Sequence, residues 1–180
     1  NSVVTLIDQW VQALTLSLSN QAAKSLISRT NPPASYFSLK SGEEIILNEG
    51  ENAYPDQGIL WVRHLQGSCH LMGREELALA VGDGFFPVNN LAWLKCDNQS
   101  RIQVMETSTI IDQEAFWMGL EGFHQKTKLC LDSIHKQKEL IERQRLEIKN
   151  NQDHLVAERS MNELASILNT NVSADEFQTD

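Results

Sequence analysis

The spacing of apolar residues changes twice along the chain, and this change restricts the possible folds more than any other feature. Residues 1–30 place apolar side chains every three or four positions, as an amphipathic helix does. Residues 34–111 instead contain short alternating runs, each followed by a turn with glycine. Helical spacing returns over residues 112–168. The pattern predicts a β domain flanked by helices, with residues 169–180 as a linker or tail.

The short strands predicted in the β region follow one another at near-regular intervals without an intervening helix. They include residues 44–47, 58–65, 76–81 and 100–111. Such a series is typical of an all-β sandwich or barrel. A jelly roll fits the pattern best.

Composition restricts the class of partner and the compartment. The 180 residues carry a formal net charge of −9 and show no cluster of Lys and Arg, which disfavours binding to nucleic-acid phosphates. Cys69, Cys96 and Cys130 are three cysteines at wide spacings, which favours a reducing compartment over a disulfide framework. The chain starts at Asn1 with no signal-peptide pattern, and we interpret it as an excised fragment.

The C-terminal segment is expected to be a long helix that begins near Asp112. Gly119 and Gly122 occur early in this segment, and each costs about 1 kcal/mol relative to alanine in a helix. A break or kink is therefore expected there.

An apolar residue recurs every seven positions later in the same segment. The residues are Ile134, Ile141, Ile148 and Leu155. If they occupy the d positions of a heptad, the matching a positions are Leu131 followed by polar side chains, so the seam is interrupted. The repeat favours a homodimer through this helix, and the alternative is a single solvated helix.

Local signatures of common enzymes are missing from the sequence, including phosphate-binding glycine loops and metal-binding HExxH motifs. His64, Cys69 and His70 are the candidates for a metal site, but their spacing favours a structural role, and no metal or cofactor is predicted. Three tryptophans are predicted to pack in the core or at a domain junction. They are Trp61, Trp93 and Trp117.

Several turns together resemble the cyclic-nucleotide-binding domain family over residues 36–111. The matching segments are Ser-Gly-Glu at 41–43, Asn-Glu-Gly-Glu at 48–51, Gln-Gly-Ser at 66–68 and Val-Gly-Asp-Gly-Phe-Phe at 81–86. The resemblance implies an eight-stranded jelly-roll barrel whose last flanking helix responds to ligand. It also implies a degenerate ligand pocket at the family's two ligand-binding segments. These residues are Pro87, Val88, Asn89, Asn90, Leu91, Ala92, Asn98, Gln99 and Ser100.

The sequence departs from this family at both ligand-binding segments. Asparagine stands where the family has a ribose-binding glutamate, and Asn98 stands where the family has the arginine that neutralises the cyclic phosphate. Arg101 lies three residues further on, where the strand alternation predicts an outward side chain. A buried phosphate without a counter-charge would be strongly disfavoured. We therefore predict that cyclic nucleotides do not bind.

The order of motifs along the chain also resembles the N-terminal region of NHLM-type bacteriocin export ABC transporters. The motifs lie at residues 6–11, 60–68, 82–94 and 117–124. This resemblance implies a cytoplasmic, non-catalytic regulatory or interaction domain of a peptide exporter. Its partners would be other exporter domains or peptide cargo, with the membrane reached only through the parent transporter.

Two further hypotheses remain open. The first is a ligand-sensing domain of a catabolite-activator-like transcription regulator, which would share the jelly roll and the long helix. The second is a metal-dependent cupin enzyme.

Overall fold

The computed structural model describes residues 2–24, 31–72, 79–80 and 83–171. The protein is mainly β, with a helix at its N-terminal end and a long helix at its C-terminal end, as predicted. The helices are α1 Ser2–Lys24, α2 Thr107–Ile110 and α3 Glu114–Asn171. The strands are β1 Phe37–Ser38, β2 Glu43–Leu47, β3 Asn52–Tyr54, β4 Leu60–Gln66, β5 Cys69–Met72, β6 Leu79–Ala80, β7 Phe86–Val88, β8 Trp93–Cys96 and β9 Ser100–Met105.

The strands form two separate sheets. One has the order β1-β3-β8-β5-β6 and the other the order β2-β9-β4-β7. Only the β1–β3 pair is parallel among the strand pairs of the described residues. Without β1, the two orders are those of a double-sheet jelly roll.

The structure corrects the expectation of an eight-stranded barrel in two respects. The sheets remain open rather than closing into a barrel, and the described residues contain nine strands. The ninth is the two-residue β1, which extends the edge of the first sheet beside β3. Tyr36, just before β1, stacks on Tyr54 in β3 at a ring-centroid distance of 3.8 Å.

Strand β9 shows how the sequence pattern determines the core. Its buried side chains are Ser100, Ile102 and Val104, and the residues between them are exposed or half-buried. This alternation follows from the two-residue period of a strand. Residues 106–111 were expected to continue this strand, but α2 occupies most of that segment.

Helix α3 lies directly on the backbone of the segment that leads into β7. The Phe85 amide donates a hydrogen bond of 2.9 Å to the carbonyl of Ala115. A side chain on Gly119 would overlap the Phe85 carbonyl, and one on Gly84 would overlap the Ala115 carbonyl. Gly84 also has φ of 92°, a conformation that favours glycine.

The expected break near Gly119 and Gly122 is therefore corrected. Helix α3 is continuous from Glu114 to Asn171. Gly119 is needed because two backbones approach closely there, and the helix tolerates its low propensity in return for that contact.

The contacts divide the chain into two units, residues 1–135 and residues 136–180, with the division inside α3. The first unit contains both sheets, α1, α2 and the beginning of α3. In the second unit, nearly all side chains of residues 136–169 are exposed. The expected tail begins at residue 169, but α3 extends to Asn171, and residues 172–180 lie outside the described part of the chain. No helix in that part is long and apolar enough to span a membrane.

Replacing Gly119 with alanine is expected to destabilise the first unit by about 1–3 kcal/mol or more, because the new methyl group would displace backbone rather than a flexible side chain. Urea unfolding followed by circular dichroism measures this change. Gly122→Ala is the matched control, because its methyl group would lie 3.4 Å from the Phe86 ring, an ordinary contact. The control should be neutral or up to about 1 kcal/mol more stable. Equal stability of the two variants would contradict the close approach.

Candidate functional site

A cavity of about 500 Å³ opens between α1, the β3–β4 loop and the turn that follows β7. Its volume lies within the range of small-molecule sites in proteins. Most of its polar lining consists of side-chain amides, which are those of Gln9, Gln12, Gln57, Asn89 and Asn90. The other residues that line the cavity are Thr5, Asp8, Gly58, Ile59 and Leu91.

Asn89 connects the turn after β7 to α1. Its side-chain oxygen accepts hydrogen bonds from the amides of Leu91 and Ala92, at 2.9 and 2.8 Å. Its side-chain nitrogen donates to the Thr15 hydroxyl at 3.2 Å. An asparagine that satisfies backbone amides two and three residues further on is typical of tight turns. The Asn89 side chain therefore has a structural role at the edge of the cavity.

Asp8 is the acidic side chain of the cavity, and it begins a chain of hydrogen bonds. The Thr107 hydroxyl donates to Asp8 Oδ1 at 2.8 Å and accepts a hydrogen bond of 2.6 Å from the Trp61 indole nitrogen. Trp61 and Thr107 are buried, and Asp8 is half-buried. These bonds connect α1, α2 and β4 through one hydroxyl group.

The same chain of contacts reaches α3. The Trp61 ring meets the Phe116 ring edge to face, with centroids 4.6 Å apart. Both rings are fully buried. Edge-to-face aromatic pairs of this kind add about 0.5–1.5 kcal/mol beyond their burial. A change at Asp8 can therefore act on the first turn of α3 through direct contacts.

The electrostatics of the cavity favour positive charge. No Lys, Arg or His is among the described residues that line it. Burial raises the pKa of Asp8, and the hydrogen bond from Thr107 opposes that shift. Burial disfavours an ionised carboxylate, so a cationic group placed beside it would restore the lost stabilisation.

The structure separates the two halves of the predicted ligand pocket. Residues 87–92 precede β8, and residues 98–100 follow it, so the two groups lie at opposite ends of that strand. Of the first group, Asn89, Asn90 and Leu91 line the cavity, whereas Val88 is buried in the core.

The second group belongs to a tight turn against residues 67–68. Asn98 Oδ1 accepts a hydrogen bond from the Ser68 amide at 2.9 Å. The Ser100 hydroxyl bonds to the Asn98 carbonyl at 3.0 Å and is buried. The segment from Asn98 through Gln99 to Ser100 therefore belongs to the turn that connects β8 in one sheet to β9 in the other.

Arg101 points away from the core, as the alternation predicted. It is exposed and lies 3.4 Å from Glu44 on the neighbouring strand β2.

The candidate metal residues are distributed over both sheets. His64 lies in β4 of the four-stranded sheet, whereas Cys69 and His70 lie in β5 of the other. His70 Nδ1 is 2.6 Å from an Asp97 carboxylate oxygen. Cys69 faces Cys96 across the β5–β8 pair, with 3.7 Å between the sulfur atoms. Within the described ranges, no three His, Cys, Asp or Glu side chains are grouped as a metal site would require.

The predicted dimer residues have different environments. Ile134 is buried against Leu18 and Cys130 within the first unit. Leu131 and Ile141 are half-buried, whereas Ile148 and Leu155 are 57% and 58% exposed. The exposed apolar stripe of the second unit therefore includes Ile148 and Leu155 but not Ile134.

Sequence reasoning missed Asp8 and Thr107, the residues at the centre of the hydrogen-bond chain. Asp8 lies within the amphipathic pattern of residues 1–30 and belongs to no chemical motif. Thr107 fell in a segment expected to be a strand. No sequence signal marked either residue, because the burial of Thr107 and of Ile7 beside Asp8 is set by contacts between distant segments.

Comparisons with known proteins found three similar solved structures, all of CooA from Carboxydothermus hydrogenoformans. Its heme domain is 12% identical, with a TM-score of 0.45 over 57% of this chain and 84% of that chain. The imidazole-bound form of this CO-dependent transcription factor is 10% identical, with a TM-score of 0.39 over 49% of this chain and 45% of that chain. A mutant form of CooA is 11% identical, with a TM-score of 0.38 over 52% of this chain and 71% of that chain. No protein-family model matches the chain, and no curated protein matches it significantly.

Replacing Thr107 with valine is expected to destabilise the first unit by about 1–3 kcal/mol, because the buried Trp61 N–H loses its acceptor and Asp8 loses a donor. Thr109→Val is the matched control, because Thr109 is exposed on the same helix. It should change stability by less than about 0.5 kcal/mol. Chemical denaturation measures both values, and a Thr107 variant as stable as the control would argue against the hydrogen-bond chain.

Proposed function

We propose that this chain is a non-catalytic regulatory domain that does not bind cyclic nucleotides. The observation that carries this proposal is the charge at the predicted ligand segments. The cavity beside Asn89 and Asn90 contains a carboxylate among its described lining residues, and Arg101 is directed outward to Glu44. The Asn98 side chain accepts a hydrogen bond from the Ser68 amide in a tight turn. A cyclic phosphate placed at either segment would lose its hydration without gaining a cationic partner.

The regulatory part of the proposal rests on a series of contacts that leads from α1 through α2 and β4 to α3. A ligand near Asp8 would act on Thr107, and Thr107 is bonded to Trp61, which packs on Phe116. These contacts are contiguous, and Thr107, Trp61 and Phe116 are buried, as in networks that transmit coupling between sites. Binding would shift the populations of two arrangements of the first turns of α3, as differential affinity requires.

The parent protein proposed for this domain is a bacteriocin-type peptide exporter. The support is the order of the sequence motifs described above. In this proposal the domain lies in the cytoplasm and meets other exporter domains or peptide cargo. The runner-up is a ligand-sensing domain of a catabolite-activator-like transcription regulator, which also combines a jelly roll with a long helix.

The coding sequence around this segment distinguishes the two parents. Apolar spans of about 20 residues together with a phosphate-binding GxxxxGK[ST] loop would support the exporter. A helix-turn-helix with a basic recognition face would instead support the transcription regulator and contradict the exporter.

Isothermal titration calorimetry with cAMP and cGMP is expected to give no binding at micromolar concentrations. The physical reason is the absence of a cation among the described residues at the predicted segments. The second arm uses Arg101→Gln, which should behave as the wild type because Arg101 is paired with Glu44 at the surface. Tight binding of either nucleotide by the wild type would contradict the proposal, and its loss in the Arg101 variant would identify Arg101 as the partner of the phosphate.

We also propose that α3 forms a homodimer through its second unit. The support is the apolar stripe of Ile141, Ile148 and Leu155 on a segment with few buried side chains. An isolated helix gains most of its stability from packing an apolar face, and a seven-residue repeat suits a coiled coil.

Multi-angle light scattering tests this dimer. Wild type should have the mass of a dimer, and the double variant Ile141→Asp with Ile148→Asp should have the mass of a monomer, because charges would enter the seam. The control places two negative charges, again seven residues apart, on the opposite side of the helix with Asn150→Asp and Ala157→Asp, both at exposed positions. Equal masses for wild type and the isoleucine variant would rule out this seam.

A further inference from the structure

We infer that the cavity between α1 and the turn after β7 binds an organic cation, a guanidinium or ammonium group carried by a small molecule or a peptide side chain. This inference deepens the proposed regulatory role and rests on it only for the consequence of binding. The binding itself is argued from the cavity alone. Its recognition residue would be Asp8.

The first step is the hydrogen-bonding capacity that remains at Asp8. A carboxylate offers about four acceptor positions on two oxygens. Thr107 donates to Oδ1 of Asp8 and accepts a hydrogen bond from Trp61. Because Thr107 is held in this way, its bond to Asp8 orients the carboxylate. A positioned carboxylate with remaining acceptor capacity suits a planar guanidinium, which can donate two parallel hydrogen bonds.

The second step is the chemistry of the other lining groups. The glutamines at positions 9, 12 and 57 and the exposed Asn90 present amide groups to the cavity. Side-chain amides both donate and accept hydrogen bonds, so they can complete the polar shell of a cation and contact an adjoining amide or hydroxyl group. Asn89 is excluded from this role, because its oxygen and nitrogen are used in the turn and at Thr15.

The third step is the sign of the field in the cavity. The N-terminal end of α1 favours anions, but that effect falls off within the first turn of a helix. Asp8 lies in the second turn of α1, which begins at Ser2. No cationic side chain lines the cavity among the described residues. The formal charge of Asp8 therefore outweighs the partial charges of the helix end, and a cation is preferred over an anion.

Calorimetry with N-acetyl-L-argininamide and N-acetyl-L-citrullinamide tests this inference on the whole chain. The two probes have nearly the same shape, but only the first carries a positive charge. Because a hydrogen bond to a charged group contributes more than a neutral one, the arginine probe should bind about tenfold or more tightly. Inorganic phosphate, the anionic probe, should give no heat of binding.

Two variants that each remove one negative charge distinguish binding at the cavity from non-specific attraction of a cationic probe to an acidic protein. Asp8→Asn keeps an oxygen that can accept from Thr107, and it should weaken the arginine probe about tenfold or more. Glu114→Gln, at an exposed position at the start of α3, should bind as the wild type does. Thermal unfolding checks that both variants are folded.

Equal affinity for the two probes, equal affinity of the Asp8 variant and the wild type, or no binding of the arginine probe at millimolar concentrations would each overturn the inference. These outcomes are distinct from a failure of the proposed function. Binding of cAMP would remove the proposed function whatever the arginine probe does, and the loss of arginine binding would leave the cyclic-nucleotide result unchanged.

Discussion

The close contact between the backbone of α3 and the segment before β7 is the constraint on which the first unit depends. Glycine at positions 84 and 119 allows two backbone segments to come within hydrogen-bond distance, and the Phe85 amide donates to the Ala115 carbonyl across that contact. The position of the first turns of α3 is set in this way. Phe116 and Phe123 then enter the core without exposed area.

The hydrogen-bond chain through Thr107 depends on this packing. Phe116 packs against the Trp61 ring and helps to bury it, so the indole N–H relies on Thr107 as its acceptor. Buried polar groups of this kind are costly when unpaired and specific when paired. These hydrogen bonds fix the rotamer of the Asp8 side chain, which could otherwise adopt other rotamers at the surface. The same contacts that hold three elements together also position this carboxylate.

The sequence was informative where structure follows from local periodicity. The helical stripe of residues 1–30 and the alternation of β9 were enough to predict a β domain between two helices. Short strands such as β3, β7 and β8 contain three or four residues, too few for a period to be recognised. The open edges of the two sheets depend on pairing between distant strands, which no local pattern contains.

The roles of individual residues were harder to predict for a related reason. Gly119 was interpreted from its low helix propensity, but its role is set by Phe85, a residue distant in sequence. Asp8 and Thr107 come from opposite ends of the first unit, and neither has a recognisable motif. Ile134 fitted the seven-residue repeat, yet Leu18 and Cys130 cover it. Contacts between distant segments decided each of these cases.

The four tryptophans occupy two environments, buried and exposed. Their fluorescence can therefore report changes in the packing of the first unit. Trp61 and Trp93 are 0% and 4% exposed, whereas Trp10 and Trp117 are 37% and 49% exposed beside a surface groove. An aqueous quencher such as iodide should extinguish emission from the outer pair first and leave a blue-shifted signal from the inner pair. Loosening of the contact between α3 and β4 would then be visible as new quenching of Trp61, without any label.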